Sequence, residues 1–292
     1  MFSLCISQQP APEISEPQLL HSLSAAQPLP DGTPFGIHTA PRLYQYLPQL
    51  GASWTFVGVL WKDVEPEQDV WDFEEMDNII ETAHANQLNL IIRIRTGTCW
   101  ATKEKTHPQK TSSPPESLDD YTEFVSTLVD RYKDSVDFWA VENEMNTPRF
   151  WSGTLSEYNQ LLEAAYTTIK HIDPEASVLD SGMASMTYGI CIARQMYEQG
   201  DIQEAIEFYN TYYIRRGLSI SGEEELQEIL YSERAEKTYT TMMDHFQSPY
   251  YDVYQLHYYE DYSLLDDVIH FVKSHQKEET PIFAVEMGYA YR

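Results

Sequence analysis

From residue 34 onward, short apolar runs alternate with helix-period segments, and this alternation constrains the fold more than any other feature. An apolar run followed by a helical pattern is the signature of βαβ units, which build a parallel sheet covered by helices. Seven runs read as strands: Phe35–Thr39, Trp54–Leu60, Leu88–Thr96, Val136–Glu144, Ser177–Ser181, Val253–Tyr259 and Ile282–Met287. Helix starts lie between them. Asp72 with Glu75 reads as a capping box ahead of Met76, Ile79, Ile80 and Ala83. Ser117 caps a helix carrying Tyr121, Phe124, Val125, Leu128 and Tyr132. Thr154 with Glu157 makes a second box before Tyr158, Leu161, Leu162, Ala165 and Ile169, and Ser263 opens a helix with Leu264, Leu265, Val268, Ile269 and Val272. Residues 186–250 read as two or three helices, ending near Gly200 and Gly217, and are long enough to form a lid or wall of a site.

A length of 292 residues admits either two domains or one α/β barrel, and the continuous alternation favours one domain over residues 34–292. Residues 1–33 carry Pro10, Pro12, Pro17, Pro28 and Pro30 without sustained periodicity, which predicts a flexible arm. The 19 basic against 46 acidic residues give a net charge of −27. That balance argues against nucleic acid, which needs Lys and Arg on its phosphates, and against an anionic membrane surface. It fits a soluble protein with a neutral or cationic partner. The longest apolar run, Leu88–Ile94, is broken by Arg93 and is far short of a membrane span. The N-terminus lacks the basic region and apolar length of a secretory signal, so the compartment stays open between extracellular and cytoplasmic, as does the oligomeric state. Cys5, Cys99 and Cys191 have no disulfide or zinc spacing.

The sequence holds no G-x-G-x-x-G, P-loop, G-x-S-x-G or H-E-x-x-H, and its nine histidines do not cluster at metal-ligand spacing. No cofactor or metal is expected. Glu144 closes the fourth expected strand and Glu286 the seventh. The C-terminal ends of parallel strands are where barrel active sites are built, and a carboxylate there costs desolvation energy. Either glutamate alone reads as a solvated strand-exit residue; the pair, in its surroundings, reads as functional.

The segment Phe138-Trp-Ala-Val-Glu-Asn-Glu-Met-Asn146, followed by Phe150-Trp151, resembles the Asn-Glu-Pro-Asn signature of clan A glycoside hydrolases, nearest to family 39, the β-xylosidase and iduronidase type. Trp61-Lys-Asp-Val-Glu-Pro66 with Trp71-Asp-Phe73 and Asp77, His257-Tyr-Tyr259, and Val285-Glu-Met-Gly288 resemble further elements of that clan, in the right order. The resemblance implies a (β/α)8 TIM barrel and a retaining mechanism on β-linked oligo- or polysaccharides. Glu144 would be the acid/base and Glu286 the nucleophile. Asn143 would hold the sugar 2-hydroxyl, and Tyr259 would donate to Glu286. His257 reads equally as a hydroxyl ligand and as a satisfied core histidine, with His38 a weaker parallel. Trp100 reads equally as a sugar-stacking wall and as loop packing. Trp61 and Trp151 are expected to pack helices onto the barrel, and Glu223–Glu225 to start a solvated helix.

The chain departs from the clan at several points. Met145 replaces the usual Pro, Glu142 stands where family 39 often has Trp, and Phe56 and Val57 occupy the stretch of strand two that often carries a basic residue. Arg292 follows Glu286 by six residues, leaving no eighth strand, so the expectation is an incomplete barrel: a truncated sequence, a fragment or a degenerate member, with little turnover by itself. The alternative is a catalytically inactive carbohydrate-binding remnant.

Overall fold

Alternate residues of a strand point to opposite faces, so a strand between helices and a concave interior must be apolar on both. The computed structural model, which describes residues 34–106 and 111–288, follows that rule; the arm expected over residues 1–33 lies outside the described residues. Strands β1 (Trp54–Leu60), β2 (Asn89–Arg95), β3 (Phe138–Val141) and β4 (Ser177–Leu179) form one parallel sheet in sequence order. Strands β5 (Tyr254–Tyr258) and β6 (Ile282–Met287) pair in parallel beside them. A parallel bridge from Leu179 to Val253 joins the two sheets, and another from Gly36 to Trp54 extends the series before β1.

The series curls. Trp54 and Phe56 of β1, Ile91 of β2, Phe138 and Ala140 of β3, Leu179 of β4 and Val253 gather in one small apolar cluster, with Phe283 and Val285 of β6 packed on it. The Phe283 ring meets both Trp54 and Phe138, at 6.1 and 5.5 Å between centroids. Strands far apart in the order therefore face one another across a common interior. The intervening residues Leu90, Ile92, Ile94, Trp139, Val141 and Val178 point outward into a much larger cluster shared with the helices.

The helices cover the outer face: α1 (Trp61–Val64), α2 (Glu74–Ala85), α3 (Leu118–Tyr132), α4 (Leu155–Ile172), α5 (Met186–Gln199), α6 (Ile202–Tyr213), α7 (Glu223–Leu230), α8 (Glu233–Phe246) and α9 (Leu265–His275). Ser117 caps α3, and Thr154 with Glu157 forms a complete capping box on α4, as expected. Trp61 is fully buried and stacks on Phe124 of α3 at 4.9 Å, while Trp151 meets Tyr158 of α4 edge-on.

Several expectations are corrected. The first expected strand forms only the Gly36 bridge; Pro34 and Pro41 bound a short stretch, and a Cβ at residue 36 would lie 2.8 Å from that of Trp54. Strand β3 ends at Val141 rather than Glu144, because Glu142 turns to a left-handed φ of 66°. The Asp72–Glu75 box is not formed: Phe73 is the N-cap of α2, and Asp72 accepts instead from the Glu74 N–H. Ser263 does not cap α9; Asp261 caps a short 3-10 turn ahead of it and accepts from both the N–H and the hydroxyl of Ser263. Residues 186–250 hold four α-helices rather than two or three. Gly200 and Gly217 end helical segments as expected, and the additional break falls at Ser232, which caps α8.

Candidate active site

The C-terminal ends of β2, β3, β5 and β6 converge, and charged or polar side chains replace the apolar ones of the inner face there. On β2 the inward positions read Ile91, Arg93 and Arg95, so the apolar cluster gives way to guanidinium groups within one strand. On β5, Tyr254, Leu256 and Tyr258 join the outer cluster, which leaves Gln255 and His257 facing inward. On β6 the register shifts: Gln255 lies beside Phe283 but His257 beside Glu286, one residue more on β6 than on β5. A bulge of this kind re-aims a side chain. It lets β6 place Phe283 and Val285 in the interior and still bring Glu286 alongside His257.

Glu144 leaves β3 through a tight turn. Its N–H donates to Ser181 O beyond β4, and its Oε1 lies 3.2 Å from His257 Nδ1. Glu286 Oε1 accepts from Arg93 Nη1 at 2.7 Å, and its Oε2 accepts from the Tyr259 hydroxyl at 2.8 Å. His257 Nδ1 lies 3.9 Å from Glu286 Oε2, and one ligand atom each of Glu144, His257 and Glu286 fall within 4.8 Å of one another. Both glutamate side chains are mostly shielded, at 13% and 20% exposure, and His257 is fully buried.

The electrostatics follow from these contacts. Burial pushes the Glu286 carboxyl up, but the charges of His257 and Arg93, with hydrogen bonds from Tyr259 and Arg93, outweigh it and hold the group at about 2. Glu286 is therefore a carboxylate. Burial first, and Glu286 second, push the Tyr259 phenol well above its ordinary value, so it stays a donor. Arg93 Nη2 lies 3.5 Å from His257 Nε2, and a guanidinium has only hydrogens to offer. The other ring nitrogen, Nδ1, faces Glu144 Oε1. Arg93 is itself braced by Gln255 Oε1 at 3.3 Å and by the Phe56 ring, 4.5 Å below its guanidinium carbon. Gln255 is fixed by Asp180, which accepts from both the Gln255 backbone and side chain and pairs with buried His245 at 2.6 Å.

The remaining expected residues divide. Asn143 is buried beside Glu144, and its Oδ1 has no hydrogen-bond partner among the described residues. His38 stacks on Phe56 at 3.9 Å; burial lowers its pKa most, with Glu286 raising and Arg93 lowering it further. Trp100 packs edge-on to Trp61 and donates its indole N–H to Glu65 O, contacts of the loop-packing kind. Sequence reasoning missed Arg93, Gln255 and Gly182. Arg93 interrupts an apolar run on the face that also carries Ile91, which is a readable signal. Gly182, with φ of 65°, has His257 Nε2 at 2.6 Å from where a Cβ would stand, so His257 can sit there only against a glycine. Glu144, His257 and Glu286 have the donor atoms for a metal ion, but the Arg93 guanidinium on Glu286 opposes a second cation.

Residues 59–180 match the family model described as glycosyl hydrolase family 10, another clan A family. No curated protein matches the chain in sequence. Among solved structures, it is similar to a monomeric β-xylosidase from Caulobacter crescentus CB15, at 16% identity over 92% of this chain and 55% of that one, with a TM-score of 0.55. The GH39 enzyme from Xanthomonas axonopodis pv. citri matches at 15% identity over 86% of this chain and 47% of that one, TM-score 0.53. A glucosidase from Croceicoccus marinus matches at 12% identity over 85% and 49%, TM-score 0.51. The chain spans about half the length of these structures. The family 10 match and the fold shared with family 39 structures bear out the likeness to clan A glycoside hydrolases that the motifs carry.

Proposed function

We propose that the chain is a retaining O-glycoside hydrolase acting on β-linked oligo- or polysaccharides, with residues 34–292 forming one domain of the (β/α)8 kind. The observation that carries this reading is the closeness of the two carboxylates. Retaining glycosidases place their carboxyl groups roughly 5 Å apart, inverting ones roughly 6.5–9.5 Å; here one oxygen of Glu144 lies within 4.8 Å of one of Glu286, and a single atom, His257 Nδ1, reaches both groups at 3.2 and 3.9 Å, which supports the shorter spacing. Glu286, ionised and gripped by Arg93 and Tyr259, attacks the anomeric carbon as Glu144 gives its proton to the departing oxygen. Water then enters on the Glu144 side. Glu144 takes a proton from it, and the water oxygen displaces Glu286, restoring both groups and the β configuration. His257 Nδ1 at Glu144 Oε1 leaves the other oxygen, Oε2, to carry the transferred proton. Asn143 Oδ1, buried and without a partner among the described residues, is suited to a sugar hydroxyl.

A panel of 2,4-dinitrophenyl 2-deoxy-2-fluoro-β-glycosides tests the assignment without needing sustained turnover. One equivalent should become ester-linked to Glu286, seen by peptide mass spectrometry; a label on another carboxylate sinks the reading. With simple aryl glycosides, azide should rescue Glu286→Ala to an α-glycosyl azide and Glu144→Ala to a β-azide, because only in the latter does Glu286 attack first. A chain that binds these sugars but accepts neither label nor rescue is a carbohydrate-binding remnant instead.

A further inference from the structure

Glu142 is fully buried and two residues ahead of Glu144, yet the chemistry above has no use for it. Its Oε1 accepts from the Thr96 N–H at 2.7 Å and the Thr96 hydroxyl at 3.0 Å, and its Oε2 lies 3.6 Å from Arg95 Nε. Arg95 in turn donates through Nη2 to Ser112 Oγ, which also accepts from the Gly97 N–H. The carboxylate is thus pinned to the exit of β2 and to the segment that folds over it. A buried carboxyl group needs such donors, but a simple apolar residue would need none, so its presence calls for a reason.

The backbone supplies one. Glu142 and Glu144 have φ of 66° and 38°, in the left-handed region that side-chain-bearing residues rarely enter and that persists only where the surroundings over-determine it. The main chain of this turn is held from Glu142 N–H to Ile94 O on β2 and from Glu144 N–H to Ser181 O beyond β4, each 2.9 Å, and after Glu144 by the Thr147 N–H on Glu144 O at 2.9 Å. These bonds act at the ends of the turn, on neighbours to either side of β3. The Glu142 side chain adds a further tie from the turn back to Thr96.

We propose that Glu142 is a positioning residue, whose carboxylate, held by Thr96 and Arg95, locks the left-handed turn that aims Glu144 at His257 and Glu286. The kinetic part of this inference rests on Glu144 being the proton donor; the lock itself does not.

The test pairs amide exchange with leaving-group kinetics on the full chain. In Glu142→Ala, exchange of the Glu144 amide should speed up by about tenfold or more while amides within β3 and β5 change little. Glu142→Gln keeps an acceptor for Thr96 and should stay within about threefold of wild type at the Glu144 amide. If the alanine variant does not fold, Glu142→Asp, one methylene short of Thr96, should show the same local opening. On aryl β-glycosides, Glu142→Ala should lose about tenfold to a hundredfold on phenyl but little on 2,4-dinitrophenyl leaving groups, with Glu142→Gln restoring most of the loss. An unchanged Glu144 amide, or equal loosening of β3 and β5, overturns the lock. If Glu144→Ala itself shows no leaving-group dependence, the donor reading fails, and the exchange data still decide the role of Glu142.

Discussion

Glu286 owes its charge to its neighbours, and that makes a pH prediction with a definite sign. Its folded-state value of about 2 lies below the roughly 4.3 of an unfolded chain, so the stabilisation is complete above about pH 4.3 and is lost as pH falls through about 2. Its size at neutral pH is on the order of 3 kcal/mol. Glu286→Gln removes the titration, so the gap in unfolding free energy between variant and wild type should shrink steeply over that window. Parallel curves would show that the shift is not real. Arg93 is the second residue to test. Arg93→Met removes the bonded cation, so the Glu286 carboxyl should rise, and the acid limb of kcat/KM should move up by about a pH unit or more. An unmoved limb would mean that His257 and Tyr259 suffice. Arg93 shows what is legible at this scale. A charge inside Leu-Ile-Ile-Arg-Ile-Arg breaks the apolar run, and the same charge, by alternation with Ile91, faces the interior. What the string cannot give is its partner, 193 residues away in sequence.

Elements whose ends are set by local chemistry are the ones a sequence discloses. Thr154-x-x-Glu157 forms both hydrogen bonds of its box, because every atom involved lies within one turn. Thr154→Ala should therefore cost about 1 kcal/mol, read from denaturant midpoints, and leave the site untouched. Asp72 and Ser263 fail as caps for a related reason: each finds a backbone or acidic partner two residues away that competes with the helix. The β6 bulge and the left-handed turn after β3 are invisible to patterning, since both depend on which strand lies alongside. Yet both aim the glutamates. Gly182 belongs to the same class. Gly182→Ala should cost roughly 1–3 kcal/mol through its positive φ and must also displace His257 from between the carboxylates. Activity should therefore fall further than stability alone explains. An alanine variant with wild-type kinetics at a temperature where it is folded would free His257 of any role.

At the scale of the whole molecule, the interior and the surface make opposite electrostatic demands. The chain carries a net charge of −27, while the site holds Arg93 and Arg95 at the end of β2. A field of one sign over the surface repels anions at long range, and salt screens it with a Debye length of about 10 Å at 0.1 M. A neutral sugar feels neither effect. For a neutral aryl β-glycoside, kcat/KM should therefore be flat between low and moderate ionic strength. A matched β-glycoside bearing a uronic acid beyond the cleaved bond should be disfavoured at low salt and should gain as salt is added, because screening relieves its approach through the negative field. The two arginines act only at contact, too close for salt at these concentrations to weaken them as much. The expected signature is a ratio of uronide to neutral kcat/KM that rises with ionic strength. A ratio that falls instead would mean that the local guanidinium groups govern the encounter, and that acidic polysaccharides, rather than neutral ones, are the substrates this site is built to attract.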